Sequence, residues 1–239
     1  MTIDAAGATA TGPRPDNQDR HVVADGWLVV SDGAGGHRGG ARAAGLAVSA
    51  AAGRLAASSA MGILDEDAVA GAVAAADAAV RAGQDQSPEV ASMAATLTVA
   101  AAAGDGRWLV AGVGDSPAWL VTAAGIRRLT EDDNAAGELV RAGAITRDEA
   151  RTHPGRHWIT RALGHGGAAP DVTEVTLGCG DALVVASDGL TPVPEQAVAL
   201  AARAATSAEA AARWLVDAAL AARTTDNVTV VVARETGTR

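Results

Sequence analysis

The chain has 239 residues, 49% apolar and 20% charged, a balance that supports one hydrophobic core and matches neither a disordered tail nor a membrane protein. Its formal charge of −9 argues against a nucleic-acid partner, because binding a phosphate backbone demands a basic face. All nineteen basic residues are Arg, and Lys, Tyr and Phe are absent, which excludes a P-loop lysine, a Schiff-base lysine and a tyrosine nucleophile.

Taken in chain order, residues 1–13 show neither the basic start nor the apolar run of a secretory signal. No stretch approaches about 18 uninterrupted apolar residues, so the expectation is a cytoplasmic monomer with no membrane partner, folded as one domain over 1–239. A valine-rich strand is expected at 27–31, followed by a glycine-rich exit at 33–40 and two Ala-rich helices at 37–58 and 65–82. Strands follow at 95–102, 107–113 and 118–122, then two short helical pieces within 134–152. Strands at 172–177 and 182–186 precede a second helix pair at 195–204 and 207–222. Ser207 is placed as the N-cap of the last helix, with Trp214, Leu215 and Leu220 on its apolar side. A final strand covers 228–233. Strands and helices in separate blocks indicate an α+β layered domain with antiparallel sheets rather than a βαβ winding.

Four aspartates share one local setting: Asp32, Asp115 and Asp188 each follow a strand, and Asp226 precedes one. Singly, each is ordinary turn chemistry. Jointly they are not, because antiparallel neighbours bring the end of one strand beside the start of the next, and carboxylates gathered at one edge repel unless they hold cations. An oxygen-only donor set, without His or Cys at metal spacing, favours Mg²⁺ or Mn²⁺ over zinc. Other constellations are weaker. His153 and His157 have helical ligand spacing, but Pro154 separates them and no zincin glutamate lies between. His21 and His165 read as ordinary strand or loop histidines. Gly114-Asp-Ser116 lacks the closing glycine of a nucleophile elbow. Cys179 reads as an inert thiol in a turn, since Val185 stands where a cysteine phosphatase loop needs Arg.

The motifs Arg14-Pro-Asp-Asn17-Gln18-Asp19, Val30-Ser-Asp32-Gly33-Ala-Gly-Gly-His37, Val113-Gly-Asp115-Ser116, Ala186-Ser-Asp188-Gly189-Leu190 and Thr225-Asp226-Asn227-Val228 resemble the ordered signature of the protein phosphatase 2C (PPM) family, bacterial type. Residues 129–164 are similar to the flap of bacterial members, and the flap subregion is expected at about 130–160. The resemblance covers about residues 3–234.

It implies a four-layer αββα fold, two packed antiparallel sheets flanked on each side by a helix pair. It also implies roles. Asp32, Asp188 and Asp226 match the first-metal ligands; Asp19, Asp32 and the Gly33 carbonyl match the second; Asp115 with Asp188 matches a third site. Asp32 bridges, and Arg14 falls on the arginine that grips substrate phosphate. The implied reaction is hydrolysis of phosphoserine and phosphothreonine on proteins by water or hydroxide shared between two divalent cations, opposing Ser/Thr kinases. The implied partners are therefore phosphorylated proteins, kinases and their substrates.

Departures bear on the mechanism. Ala34 stands where many eukaryotic members carry a histidine general acid, which leaves metal-bound water, His37 or no group as the proton donor. The segment 92–96, ending Ala-Ala-Thr96, replaces the usual Gly-Thr-Thr, and Ser116-Pro117 replaces Ser-Arg. Two rivals remain: a pseudophosphatase that binds phosphoproteins as a signalling module, and a metal-dependent nuclease, which the negative charge disfavours.

Overall fold

A computed structural model of the chain describes residues 2–34, 39–166 and 169–237. In chain order its elements are β1 (Ile3–Ala10), β2 (Arg20–Ala24), β3 (Trp27–Ser31), β4 (Gly33–Ala34), α1 (Gly40–Ala60), α2 (Glu66–Gln84), β5 (Ala94–Ala95), β6 (Leu97–Gly104), β7 (Arg107–Val113), β8 (Ala118–Thr122) and β9 (Gly125–Arg128). They continue with α3 (Ala135–Arg141), α4 (Arg147–Ala150), β10 (Val172–Thr176), β11 (Ala182–Ala186), α5 (Glu195–Ala204), α6 (Ala208–Ala221) and β12 (Val228–Glu235).

Two five-stranded antiparallel sheets form, ordered β1-β12-β11-β8-β9 and β10-β7-β6-β3-β2. Their central strands are buried on both faces, which is why they read as unbroken apolar runs rather than alternating ones. The pleat separates the two faces cleanly. Leu28, Val30, Trp108 and Val110 of one sheet meet Leu120, Leu183, Val185 and Val231 of the other. The alternate residues Trp27, Val29, Val99 and Leu109 face α1 and α2, whereas Val184, Val230 and Val232 face α5 and α6. These three apolar clusters make the four layers expected from the sequence.

The helices approach their sheets on small residues. On α1 the buried side includes Ala43, Ala44, Ala47 and Ala51; α2 is capped by Asp65, whose carboxylate accepts from the Ala68 amide at 2.9 Å. Ser207 caps α6 as anticipated, accepting from the Ala210 amide at 3.1 Å. The apolar side of that helix differs from expectation. Leu215 is buried, but Trp214 and Leu220 are 42% and 41% exposed. The face that packs is Ala208, Ala211, Ala212, Leu215 and Ala219, at helical spacing. Alanines let the helix lie close to β1 and β12, and Trp214 and Leu220 are turned out.

Three sheet strands, β1, β2 and β9, were not expected from the sequence, and 95–102 divides into β5 and β6 because Ala94–Ala95 pair with Gly33–Ala34 instead of continuing the main sheet. Among the described residues no helix is long and apolar enough to cross a membrane.

Candidate active site

Strand direction gathers the aspartates. Arg20 pairs with Ser31, so Asp19, just before β2, lies beside Asp32, just after β3. β6 runs antiparallel to both β3 and β7, which puts Asp115 at the same end. In the other sheet Ala186 pairs with Val230, placing Asp188 beside Asp226. Asp32, Asp115, Asp188 and Asp226 line one cleft of about 280 Å³, together with Arg14, Asp16, Gln18, Gly33, Ala34, His157 and Ile159. Asp19 lies behind it, 3% exposed.

Hydroxyl side chains hold this group in place. The Asp32 amide donates to Thr96 Oγ1 at 2.9 Å, the Thr96 and Ser116 hydroxyls bond at 2.7 Å, and Ser31 Oγ donates to the Thr96 carbonyl at 2.6 Å. Ser187 Oγ donates to Asp19 Oδ2 at 2.7 Å while accepting from the Thr229 amide at 2.9 Å. Asn134, the cap of α3, donates to Asp115 Oδ2 at 3.1 Å. Asn227 binds the loop that carries Arg14: its Oδ1 accepts from the Gln18 amide at 2.8 Å, and its Nδ2 donates to the Thr11 and Asp16 carbonyls at 2.8 and 2.9 Å. Gly33 must be glycine, since a Cβ there would overlap the Gly40 carbonyl at the start of α1. This is the close backbone approach that the glycine-rich exit suggested.

Electrostatics mark the cluster as unusual. Burial first, and then the charges of Asp19, Asp188, Asp115 and Asp226, push Asp32 well above the usual carboxylate range. Burial and Asp188 do the same to Asp115. Asp188 is pushed up to about 6 by burial, with Asp226 and Asp19 adding to it. Burial raises Asp19 despite the hydroxyls bonded to it. Arg14 sits at the mouth, its Nη2 2.6 Å from Asp226 Oδ2 and its Nε donating to the Thr225 carbonyl at 2.9 Å.

Among the described residues, no three His, Cys, Asp or Glu side chains close round one point tightly enough to hold an ion. The donor chemistry nevertheless fits one. Asp19 Oδ1 and Asp188 Oδ1 are buried without a hydrogen-bond partner, an arrangement that is costly unless something positive meets them. The available donors are all oxygen, which suits a hard divalent cation.

Residues 12–223 match the family model described as Protein phosphatase 2C. The chain belongs to the protein phosphatase 2C family. Among curated relatives of that family it is 36% identical over 229 residues to the serine/threonine protein phosphatase PstP of Mycobacterium tuberculosis, which covers 92% of this chain. The chain spans only 42% of that relative's length. Protein phosphatase 2C folds of known structure superpose closely. The PPM Ser-Thr phosphatase MsPP from Mycobacterium smegmatis, in complex with cacodylate, has a TM-score of 0.85 at 38% identity and covers 97% of both chains. The catalytic domain of PstP in complex with two manganese ions has a TM-score of 0.86 at 30% identity, covering 98% of this chain and 99% of that one.

Of the residues expected at a protein phosphatase 2C site, Arg14, Asp32, Gly33, Asp115, Asp188 and Asp226 share the cleft, with Asp19 packed behind. His37 lies outside the described residues. His157, set aside as a zinc ligand, lines the cleft instead. Thr96, Ser116, Asn134, Ser187 and Asn227 received no role from the sequence. A usable signal was present, because each lies within or beside a motif already singled out. Cys179 is exposed in a turn.

Proposed function

We propose that this chain, as a cytoplasmic monomer, hydrolyses phosphoserine and phosphothreonine on proteins with the help of two or three divalent cations, Mg²⁺ or Mn²⁺, and so opposes Ser/Thr kinases. The observation that carries this reading is the convergence of five aspartates from five separate motifs, four lining the cleft and Asp19 behind it, with two of their buried oxygens unpartnered. Family membership supports it, as does a relative of known structure that holds two manganese ions.

In this reading Asp32, Asp188 and Asp226 would hold one ion, Asp19, Asp32 and the Gly33 carbonyl a second, and Asp115 with Asp188 a third. Bound there, divalent cations would supply an acidified water and neutralisation of charge on phosphoryl oxygens. The rest falls to the chain's own residues. Thr96 fixes the backbone at Asp32, and Ser187 fixes the Asp19 carboxylate. Arg14, at the mouth, presents a planar guanidinium suited to gripping two phosphate oxygens at once. Asn227 keeps its loop in place.

Hydrolysis of a phosphothreonine peptide in the presence of Mn²⁺ or Mg²⁺ tests the activity, and Asp188→Asn tests the site. The expected outcome is turnover by the wild type and its abolition in the variant. Unchanged turnover in Asp188→Asn overturns the ligand assignment, and no turnover with either metal overturns the activity.

A further inference from the structure

A seryl or threonyl oxygen is a poor leaving group as an alkoxide, so its departure from phosphorus is fast only if a proton reaches it as the bond breaks. Ala34 carries none. Within the cleft, Arg14 does not release its proton, and the aspartates other than Asp16 are assigned to cations. Three described imidazoles lie elsewhere. His21 is in β2, His165 does not line the cleft, and the His153 Nδ1 accepts from the Gly155 amide at 3.0 Å to cap its own turn.

Resting on the phosphatase reading above, we propose that His157 is the group that protonates the leaving seryl or threonyl oxygen. His157 ends the 3-10 turn Pro154–His157 of the flap, lines the cleft and is itself exposed. Asp19 and Asp115 are buried and His157 is exposed, so the imidazole is open to an incoming phosphoprotein, and in this role it stands on the leaving-group side of the in-line displacement.

The turn is held from both ends. Pro154 starts it, the Trp158 amide donates to the Gly155 carbonyl at 3.2 Å, and the Ala135 amide donates to the Trp158 carbonyl at 3.0 Å. A bridge between Asn134 and Ile159 ties the following residue to the start of α3, whose cap also holds Asp115. The turn that bears the imidazole is thus tied to the same support as Asp115.

In the step itself, oxygen from water bonds to phosphorus and the bond from phosphorus to the side-chain oxygen breaks. That oxygen takes the imidazolium proton and leaves as a hydroxyl, with inorganic phosphate as the other product. The neutral imidazole regains a proton from the solvent to which it is open. The charged groups facing His157 are Arg156 on its own turn, Arg14 and Asp226 across the cleft, and Asp16 and Asp188 within it. Partial burial, then Arg156, lower its pKa, which makes the imidazolium the stronger acid, while the dianionic substrate brings the charge that keeps it protonated.

The test compares leaving groups on the Mn²⁺-loaded protein: a phosphothreonine peptide, which needs the proton, and p-nitrophenyl phosphate, which does not. His157→Ala and His157→Gln are each expected to lower kcat on the peptide about 100-fold, and on p-nitrophenyl phosphate by less than about threefold. Equal losses on both substrates, no loss on either, or a loss confined to KM overturns the role. So does the selective pattern appearing in His37→Ala while His157→Ala is unaffected. A wild type inactive on both substrates overturns the phosphatase reading and this role with it.

Discussion

Asn227 uses its whole side chain, one acceptor and two donors, to hold a loop more than 200 positions away in sequence. Removing it frees the segment that carries Arg14 and leaves polar groups unpaired at a site that is 3% exposed. Asn227→Ala is expected to lower unfolding free energy by about 2 kcal/mol in denaturant titrations and to raise KM for a phosphopeptide. Asn227→Asp is expected to be worse, because it turns an acceptor toward two carbonyl oxygens. At this scale the sequence is legible where a residue carries the chemistry itself. Asp32, Asp115, Asp188 and Asp226 stand out because short carboxylates recur at strand ends. Thr96, Ser187 and Asn227 do not, since their work is to bond groups brought near only by the fold.

At the scale of elements, the segment 133–161, where a flap is expected, depends on its attachment. Asp133 pins it. Its Oδ2 accepts from the Gly114 amide at 3.0 Å and from Arg161 Nε at 2.8 Å, its own amide donates to the Gly114 carbonyl at 3.0 Å, and its carbonyl accepts from the Thr160 amide at 2.8 Å. Asp133→Ala leaves Arg161 and the Gly114 amide without that partner, so a loss of about 3 kcal/mol is expected, with faster proteolysis within 133–161 as the local readout. Element types were well specified where the local pattern was strong. The β-branched runs at β3, β7, β11 and β12 are strands, and the pieces in 134–152 are α3 and α4. β1 was not visible because Ile-Asp-Ala-Ala-Gly-Ala-Thr-Ala has little strand preference of its own; it becomes a strand by pairing along its full length with β12. The exposed Trp214 has a similar lesson. Periodicity locates a helix, but side-chain size and the sheet beneath decide which face packs.

For the molecule as a whole, the crowded carboxylates set a pH dependence. Asp19, Asp32, Asp115 and Asp188 all have folded-state pKa values above their ordinary value, so the folded chain holds more protons than the unfolded one between the two. Their contribution to stability is full at low pH and is lost as pH rises through the folded values, which for Asp188 means through about 6, with Asp32 and Asp115 also raised well above the usual carboxylate range. His21 and His157, lowered first by burial, act in the opposite sense, but burial also raises Asp132, so the raised carboxylates outnumber them. With a chelator present, Tm is expected to fall as pH rises through about 6, the folded value of Asp188. Millimolar Mn²⁺ is expected to raise Tm by about 5 °C or more near neutral pH and to remove that fall, because an ion bound only by the folded state stabilises it. A Tm indifferent to both pH and metal would count against the aspartates as a cation site.

The partnership of β1 with β12 reaches beyond the sheet it completes. Ile3 pairs with Glu235 and Ala10 with Val228, so strands from opposite ends of the described chain are joined, and β12 also lies against β11. Until β12 docks, β1 lacks its sheet partner, and neither Asp226 nor Asn227 has reached its station. Contacts of such long separation close slowly. A chain in which β12 has not docked would therefore present an incomplete cleft, and on the reading proposed above cation binding and turnover are expected to appear only as that sheet closes.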